Sequence, residues 1–297
     1  SPLMSDPLIG TAFDGWKVVA PLGQGAMGTV YEVRKGSGRG ALKVIHPENA
    51  SQDALPRFRR EAKLLSQVRH PCVVGCPGRG EGGGLIWLLL ELMEGGPLED
   101  LLLDRGRFSP PQAIAVARAV LQGLGAIHEK GVVHRDVKPA NLLLDAAGKV
   151  KVGDLGLARK GEASSLTATG TILGTPYYMA PEQCRGEELD GRTDLDAVGV
   201  LLWHLITGQP PYDAKNPLAI LQLHMTADVP DLRQAAPDAP PRLAQAIGRL
   251  MAKSPNDRPK DAKAALGLLG GLPDAPLPRR KRKASSGGGV PRAGSSS

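Results

Sequence analysis

The stretch His134-Arg135-Asp136-Val137-Lys138-Pro139-Ala140-Asn141, followed by a second acidic turn at Asp154-Leu155-Gly156, constrains this chain more than any other. Between the two lie the short apolar runs Leu142-Leu143-Leu144 and Val150-Lys151-Val152, on either side of the turn-forming Asp145-Ala146-Ala147-Gly148. The pattern predicts a small hairpin with an ionisable cluster at each end. Asp136, Asn141 and Asp154 offer the oxygen donors that a hard divalent cation takes, and Lys138 adds a cation able to face a phosphate.

A second anion-binding signal lies upstream, in Gly23-Gln24-Gly25-Ala26-Met27-Gly28. This spacing also opens dinucleotide-binding units, but there the glycines lead from a strand into a helix. Here Trp16-Lys17-Val18-Val19 precedes them and Thr29-Val30-Tyr31-Glu32-Val33 follows, both rich in strand formers. The glycines are therefore expected in a hairpin, a flap whose backbone amides can approach anionic oxygens. In Ala41-Leu42-Lys43-Val44-Ile45 the period of two puts Lys43 on the same face as Ala41 and Ile45. On residues 53–69, Phe58, Ala62, Leu65 and Val68 recur at helical spacing and turn Glu61 inward with them. An inward cation and an inward carboxylate on neighbouring elements are expected to pair, because a buried unpaired charge is costly. Further on, Ser109-Pro110 predicts a helix start and Gly131 its end, with Ala117, Val120, Leu121, Leu124 and Ile127 on the core face. Residues 71–84 read as turn-forming, with Cys72 and Cys76 on a strand after His70-Pro71, and residues 157–173 have no sustained period.

Taken in this order, with Gly174-Thr175-Pro176-Tyr177-Tyr178-Met179-Ala180-Pro181-Glu182 and Asn256-Asp257-Arg258-Pro259 downstream, the motifs resemble those of eukaryotic-type serine/threonine protein kinases of the bacterial kind. The resemblance covers about residues 13–270. It implies an α+β, bilobal protein kinase-like fold, with a small β-rich N-lobe carrying one main helix and a larger α-helical C-lobe. The expected organisation is a leader over 1–12, an N-lobe over 13–93, a C-lobe over 94–272, and a disordered basic tail rich in Pro, Gly and Ser over 273–297.

The resemblance also implies a reaction, transfer of the γ-phosphoryl group of ATP to Ser or Thr hydroxyls of proteins in bacterial signalling, with Mg2+, or Mn2+ in its place. By the same likeness Asp136 orients the hydroxyl and takes its proton, while Asn141 and Asp154 hold the metal. Lys43, held by Glu61, and Lys138 offset phosphate charge. Leu22, Gly23, Gly25 and Gly28 cover the nucleotide, Val30, Ala41 and Leu143 sandwich its base, and the backbone of Glu91 and Met93 meets the adenine edge just after the gatekeeper Leu90. Asp194 is expected to cap the catalytic loop, and Arg258 to pair with Glu182. Thr171 or Thr169 is the expected main site of autophosphorylation, with Thr167 third. The reaction would run between molecules in a transient homodimer, and Arg135 would receive the phosphate. Two positions depart from the family: Leu155 replaces a phenylalanine, and Asp196 replaces an aromatic residue early in a long helix, where looser packing is expected. A pseudokinase scaffold is the alternative, but its usual sign is loss of Lys43, Asp136 or Asp154, all of which are present.

Charge and cysteine content exclude other classes. The formal charge is +7, but residues 273–297 hold six cations against Asp274, a net +5, which leaves +2 for residues 1–272. A nucleic-acid partner is therefore not expected. Three cysteines with no paired motif argue against a zinc site and for a reduced, cytoplasmic setting. No apolar run approaches the roughly 20 residues that span a bilayer, so membrane attachment is expected only if a span follows residue 297.

Overall fold

A computed structural model describes residues 6–25, 28–45, 54–153 and 176–279. Its N-lobe is an antiparallel sheet of six strands, β1 (Ala12–Phe13), β2 (Trp16–Gly25), β3 (Gly28–Lys35), β4 (Gly38–Ile45), β5 (Gly78–Gly82) and β6 (Leu85–Leu90), in the order β1-β2-β3-β4-β6-β5. Helix α1 (Ala54–Leu65) lies between β4 and β5 in the chain. The period of two sorts each strand into two faces. Val18, Tyr31, Val33, Leu42, Val44 and Leu89 form a small outer core, against which Leu8, Phe13, Trp16, Leu85 and Trp87 pack. Ile45, Ile86 and Leu88 face the other way and join the main core. Lys43, one residue from Leu42 and Val44, shares that inward face, opposite Val30 on β3 and Leu88 on β6.

The C-lobe holds a three-stranded ribbon of β7 (Gly96–Pro97), β8 (Leu142–Leu144) and β9 (Val150–Val152), together with its helices. These are α2 (Leu98–Arg105), α3 (Pro110–His128), α4 (Pro181–Arg185), α5 (Gly191–Thr207), α6 (Pro217–Thr226), α7 (Leu232–Ala235), α8 (Pro241–Leu250) and α9 (Ala262–Leu268). At the start of α3, Ser109 and Gln112 cap each other's backbone amides, and the expected five-residue face is fully buried. Helix α5 runs through the centre of the lobe, with Leu195, Val198, Leu201, Leu202 and Leu205 all buried, and Gly208 ends it at φ +79°. With few aromatic residues available, leucine dominates this core. Among the described residues no helix is long and apolar enough to cross a membrane.

Four sequence expectations need correction. The turn-forming stretch at 71–84 contains strand β5, because backbone pairing to β6 needs no side chains and Gly80 leaves room for the Trp87 indole, which a Cβ would approach to 2.3 Å. Cys72 and Cys76 precede that strand and do not lie on it. The leader is part of the fold from Asp6 onward: the Tyr31 hydroxyl donates to the Asp6 carboxylate (2.8 Å), and the amides of Gly10 and Val18 bond to Val18 and Thr11 carbonyls. At the other end the chain stays packed as far as Leu277. Arg118 pairs with Asp274 and donates to the Leu269 and Leu272 carbonyls, the Ala275 amide bonds to the Pro111 carbonyl, and Leu277 is buried in the main core.

A chain ended at Leu272 should therefore melt below one ended at Arg279. Burial of one leucine is worth about 2 kcal/mol, or roughly 4–8 °C for a domain of this size. Equal melting temperatures would show that residues 273–279 contribute nothing to the folded state.

Candidate active site

The catalytic-loop stretch has little regular structure of its own, and its shape is imposed by neighbours. Arg135 sits at φ +66°, a left-handed conformation that a residue with a side chain adopts only when held there. Asp194, buried near the start of α5, holds it from below. One carboxylate oxygen accepts the Arg135 amide (2.8 Å), and the other accepts the His134 amide (2.8 Å) and His128 Nε2 (2.7 Å). The Arg135 carbonyl is held from the other side by Gln183 Nε2 (3.0 Å), whose own Oε1 caps α4 by accepting the Ala180 amide (3.0 Å).

His134 is fully buried and joins this loop to the next one. Its Nδ1 accepts the Asp136 amide (3.2 Å), which places the ring hydrogen on Nε2, and Nε2 donates to the Gly153 carbonyl (2.9 Å). The Gly153 amide in turn bonds to the Asn141 carbonyl (3.0 Å). The residue that precedes Asp154 is thus fixed beside Asn141.

Asp136 is half-buried. Its Oδ2 accepts Asn141 Nδ2 (2.8 Å) and lies 3.0 Å from Lys138 Nζ, and Asn141 Nδ2 also donates to the Asp136 carbonyl (2.7 Å). With the amide nitrogen committed twice to Asp136, the Asn141 carbonyl oxygen points away from it. An amide oxygen next to the chain entering Asp154 is the donor chemistry that a hard divalent cation accepts, so the residues present fit such an ion. Asp154 itself, the Glu61 side chain, and Thr167, Thr169 and Thr171 lie outside the described residues. Among the described residues no group of three His, Cys, Asp or Glu forms a metal site.

The expected glycine hairpin is present, with Gly25 opposite Gly28 in the last pair of β2 and β3. Gly28 must be glycine for a reason that the sequence hid: a Cβ would lie 1.9 Å from the Val44 carbonyl oxygen. Gly23 and Leu22 sit at a bulge of β2, Val30 and Ala41 on neighbouring strands, and Leu143 on β8. After Leu90 the chain leaves β6, and Met93 is buried, its carbonyl accepting the Gly96 amide (3.2 Å).

Two sets of contacts escaped the sequence reading. Gln183 was visible only as the residue after Ala-Pro-Glu. The hinge carboxylate of Glu91 pairs with Lys151 on β9 (2.6 Å) and accepts the Gly75 amide (3.2 Å), in a region already tied by Val74 N to Val152 O (2.9 Å) and Val152 N to Cys72 O (2.8 Å). The expected Glu182–Arg258 pair is present, buried and bidentate at 2.7 and 2.8 Å. Burial alone would raise the Glu182 carboxyl, but the Arg258 guanidinium and the Thr193 hydroxyl outweigh it and hold the group below the usual carboxylate range.

The protein kinase domain family matches residues 16–267. The serine/threonine-protein kinase PknL of Mycobacterium tuberculosis is 39% identical over 262 residues, which cover 86% of this chain and 65% of that protein. PknF of the same organism is 36% identical over 279 residues (89% and 58%), and the serine/threonine-protein kinase pkn2 of Myxococcus xanthus is 38% identical over 263 residues (83% and 31%). The chain thus spans less than two thirds of the length of these curated relatives. A match across most of its own length, together with the motifs in their order, shows that this chain belongs to the protein kinase family, in its bacterial, eukaryotic-type serine/threonine branch.

Proposed function

We propose that this chain transfers the γ-phosphoryl group of ATP to Ser or Thr hydroxyls of proteins. The observation that carries the reading is the Asp136 carboxylate, oriented by Asn141 and Lys138 in a loop clamped from below by Asp194. In such a reaction the protein works by positioning and by offsetting charge. Asp136 would accept the hydroxyl proton while Asn141 holds its orientation. Lys138, 3.0 Å from the same carboxylate oxygen, would meet the transferring group's negative charge. Lys43 on the inward face of β4 would hold the inner phosphates, with Glu61 as its partner. The glycines of the β2–β3 hairpin would cover them, and Val30, Ala41 and Leu143 would enclose the base.

Asn141 and Asp154 would hold the metal, which we assign as magnesium, with manganese as a substitute. When bound, the ion supplies positive charge to phosphate oxygens. The kinase reading is favoured over a nucleotide-binding scaffold because Lys43, Asp136, Asn141 and Asp154 are all present.

The reading is tested with γ-labelled ATP and a generic protein substrate, with and without magnesium. Asp136→Asn should keep ATP affinity while turnover falls about 10²–10⁴-fold, since only the proton acceptor is removed. Near-normal turnover in that variant would refute the assignment. Control through the loop is the second expectation. We assign Thr171 or Thr169 as the main site of autophosphorylation between molecules, with Thr167 third, because a phosphate adds about −1.5 to −2 charges able to meet Arg135. Mass spectrometry after incubation with magnesium and ATP should find phosphate on this cluster, and the Thr169→Ala/Thr171→Ala double variant should lose activity. Full activity in the double variant, or a loop without phosphate, would show that Arg135 is only structural.

A further inference from the structure

The mechanism above leaves one buried carboxyl without a task. Asp196 is 2% exposed on α5, two residues past Asp194, and charged or titratable groups face it from each element packed around it. Glu182 and Cys184 belong to α4, Arg258 follows the 3-10 turn Pro255–Asp257, Lys253 follows α8, and Tyr212 follows α5. The two cations spend their hydrogen bonds elsewhere. Arg258 is bidentate to Glu182 and donates its other hydrogens to the carbonyls of Ala252, Arg192 and Lys253, so it reaches Asp196 only at 3.6 Å. Lys253 donates to the Tyr212 hydroxyl and the His224 carbonyl, both at 2.9 Å, and lies over the Tyr212 ring at 4.6 Å.

A carboxylate buried among charges but beyond hydrogen-bond range of a donor is poorly compensated, which favours the neutral acid. Burial, and next to it the Glu182 charge, push the Asp196 carboxyl up to about 7, against the pull of Arg258 and Lys253. Three nearby groups lie outside that range. Burial pushes the Cys184 thiol up to about 12 and raises the Tyr212 hydroxyl, and it pushes His224 down to about 4.

We propose that Asp196 is a positioning residue whose proton sets how firmly α4 is anchored under the active site. While neutral, it leaves Arg258 wholly to Glu182. Once ionised, it competes for that guanidinium, and slack in α4 passes through Gln183 Nε2 to the Arg135 carbonyl, next to Asp136. The coupling runs through a chain of contacts: Asp196 to Arg258 (3.6 Å), Arg258 to Glu182 (2.7 Å), and Gln183 to Arg135 (3.0 Å). The sign follows from linkage. A carboxyl that binds its proton more tightly folded than unfolded stabilises the fold fully below its unfolded value, near 4. That contribution is lost as pH rises towards the folded value, near 7, and stays lost above it.

The test uses the full chain at a series of pH values from about 5.5 to about 8.5, reading melting temperature and turnover. The native chain should lose several degrees of melting temperature as pH rises from about 5.5 to about 7 and little more above that, and kcat should drop several-fold as pH passes through neutrality. Asp196→Asn, which has the same shape and no proton to lose, should show neither step. A native chain without the steps, or a variant that keeps them, would overturn the proposal. Should Asp196→Asn fail to fold, Lys253→Met serves instead: removing a cation that favours the ionised form must move both steps to higher pH, and unmoved steps would overturn the proposal equally. The turnover arm rests on the kinase reading, whereas the melting arm needs no substrate. An inactive chain that still shows the melting step would therefore separate failure of that reading from failure of this inference.

Discussion

The site depends on one carboxylate. Asp194 accepts two consecutive backbone amides and one imidazole, and it does so at the base of a loop whose central residue is held in a left-handed conformation. Such a conformation at a residue with a side chain costs about 1–3 kcal/mol. The compensation comes from outside the loop, from Asp194 on the amide side and Gln183 on the carbonyl side. Asp194 can serve because α5 is fixed by its own burial. Glycines let the neighbours approach: a Cβ at Gly191 would lie 2.7 Å from the His128 ring, and one at Gly199 would lie 2.6 Å from Met251. The apolar core therefore fixes the coordinates of a polar site.

From that base the order extends outward in steps. His134 passes it to Gly153, the residue before Asp154, and Asn141 passes it to Asp136. The hinge is tied separately, by Glu91 to Lys151 and to Gly75, while segment 72–75 is pinned to β9. Gly123 in the middle of α3 allows this, because a Cβ there would lie 2.5 Å from the Cys72 carbonyl oxygen. A glycine inside a helix costs about 1 kcal/mol relative to alanine. Here it is the condition for close contact between α3 and the segment that bridges the two lobes.

Much of this was legible in the sequence, for identifiable reasons. The hairpin around Asp145, the α3 core face, and the pairing of Glu182 with Arg258 each rest on a residue type that has few structural alternatives at that spacing. Strand β5 was hidden because its pairing uses backbone alone and Gly80 serves the Trp87 ring. The packed ends were hidden because composition marked both as polar and Pro-rich, while single residues, Asp6 at one end and Leu277 at the other, anchor them to distant partners. Gln183 and Lys151 were missed because an amide or ammonium at the surface of a motif carries no periodic signal. Asp196 was visible as a departure, with looser packing expected. The structure buries it instead beside Arg258, with Lys253 among the charges around it, so the position became polar without becoming exposed.

The role of Asp194 is to shape the catalytic loop, beyond that of a helix-end residue. Asp194→Asn isolates it, since the amide keeps the volume but presents one acceptor and one donor where two amides and an imidazole all need acceptors. Steady-state kinetics on the folded variant, with ATP affinity measured separately, is the direct measurement. The account predicts turnover reduced by more than tenfold, the equivalent of about 1.4 kcal/mol or more in the barrier, with ATP affinity close to that of the native chain. Native turnover in a folded Asp194→Asn chain would contradict it.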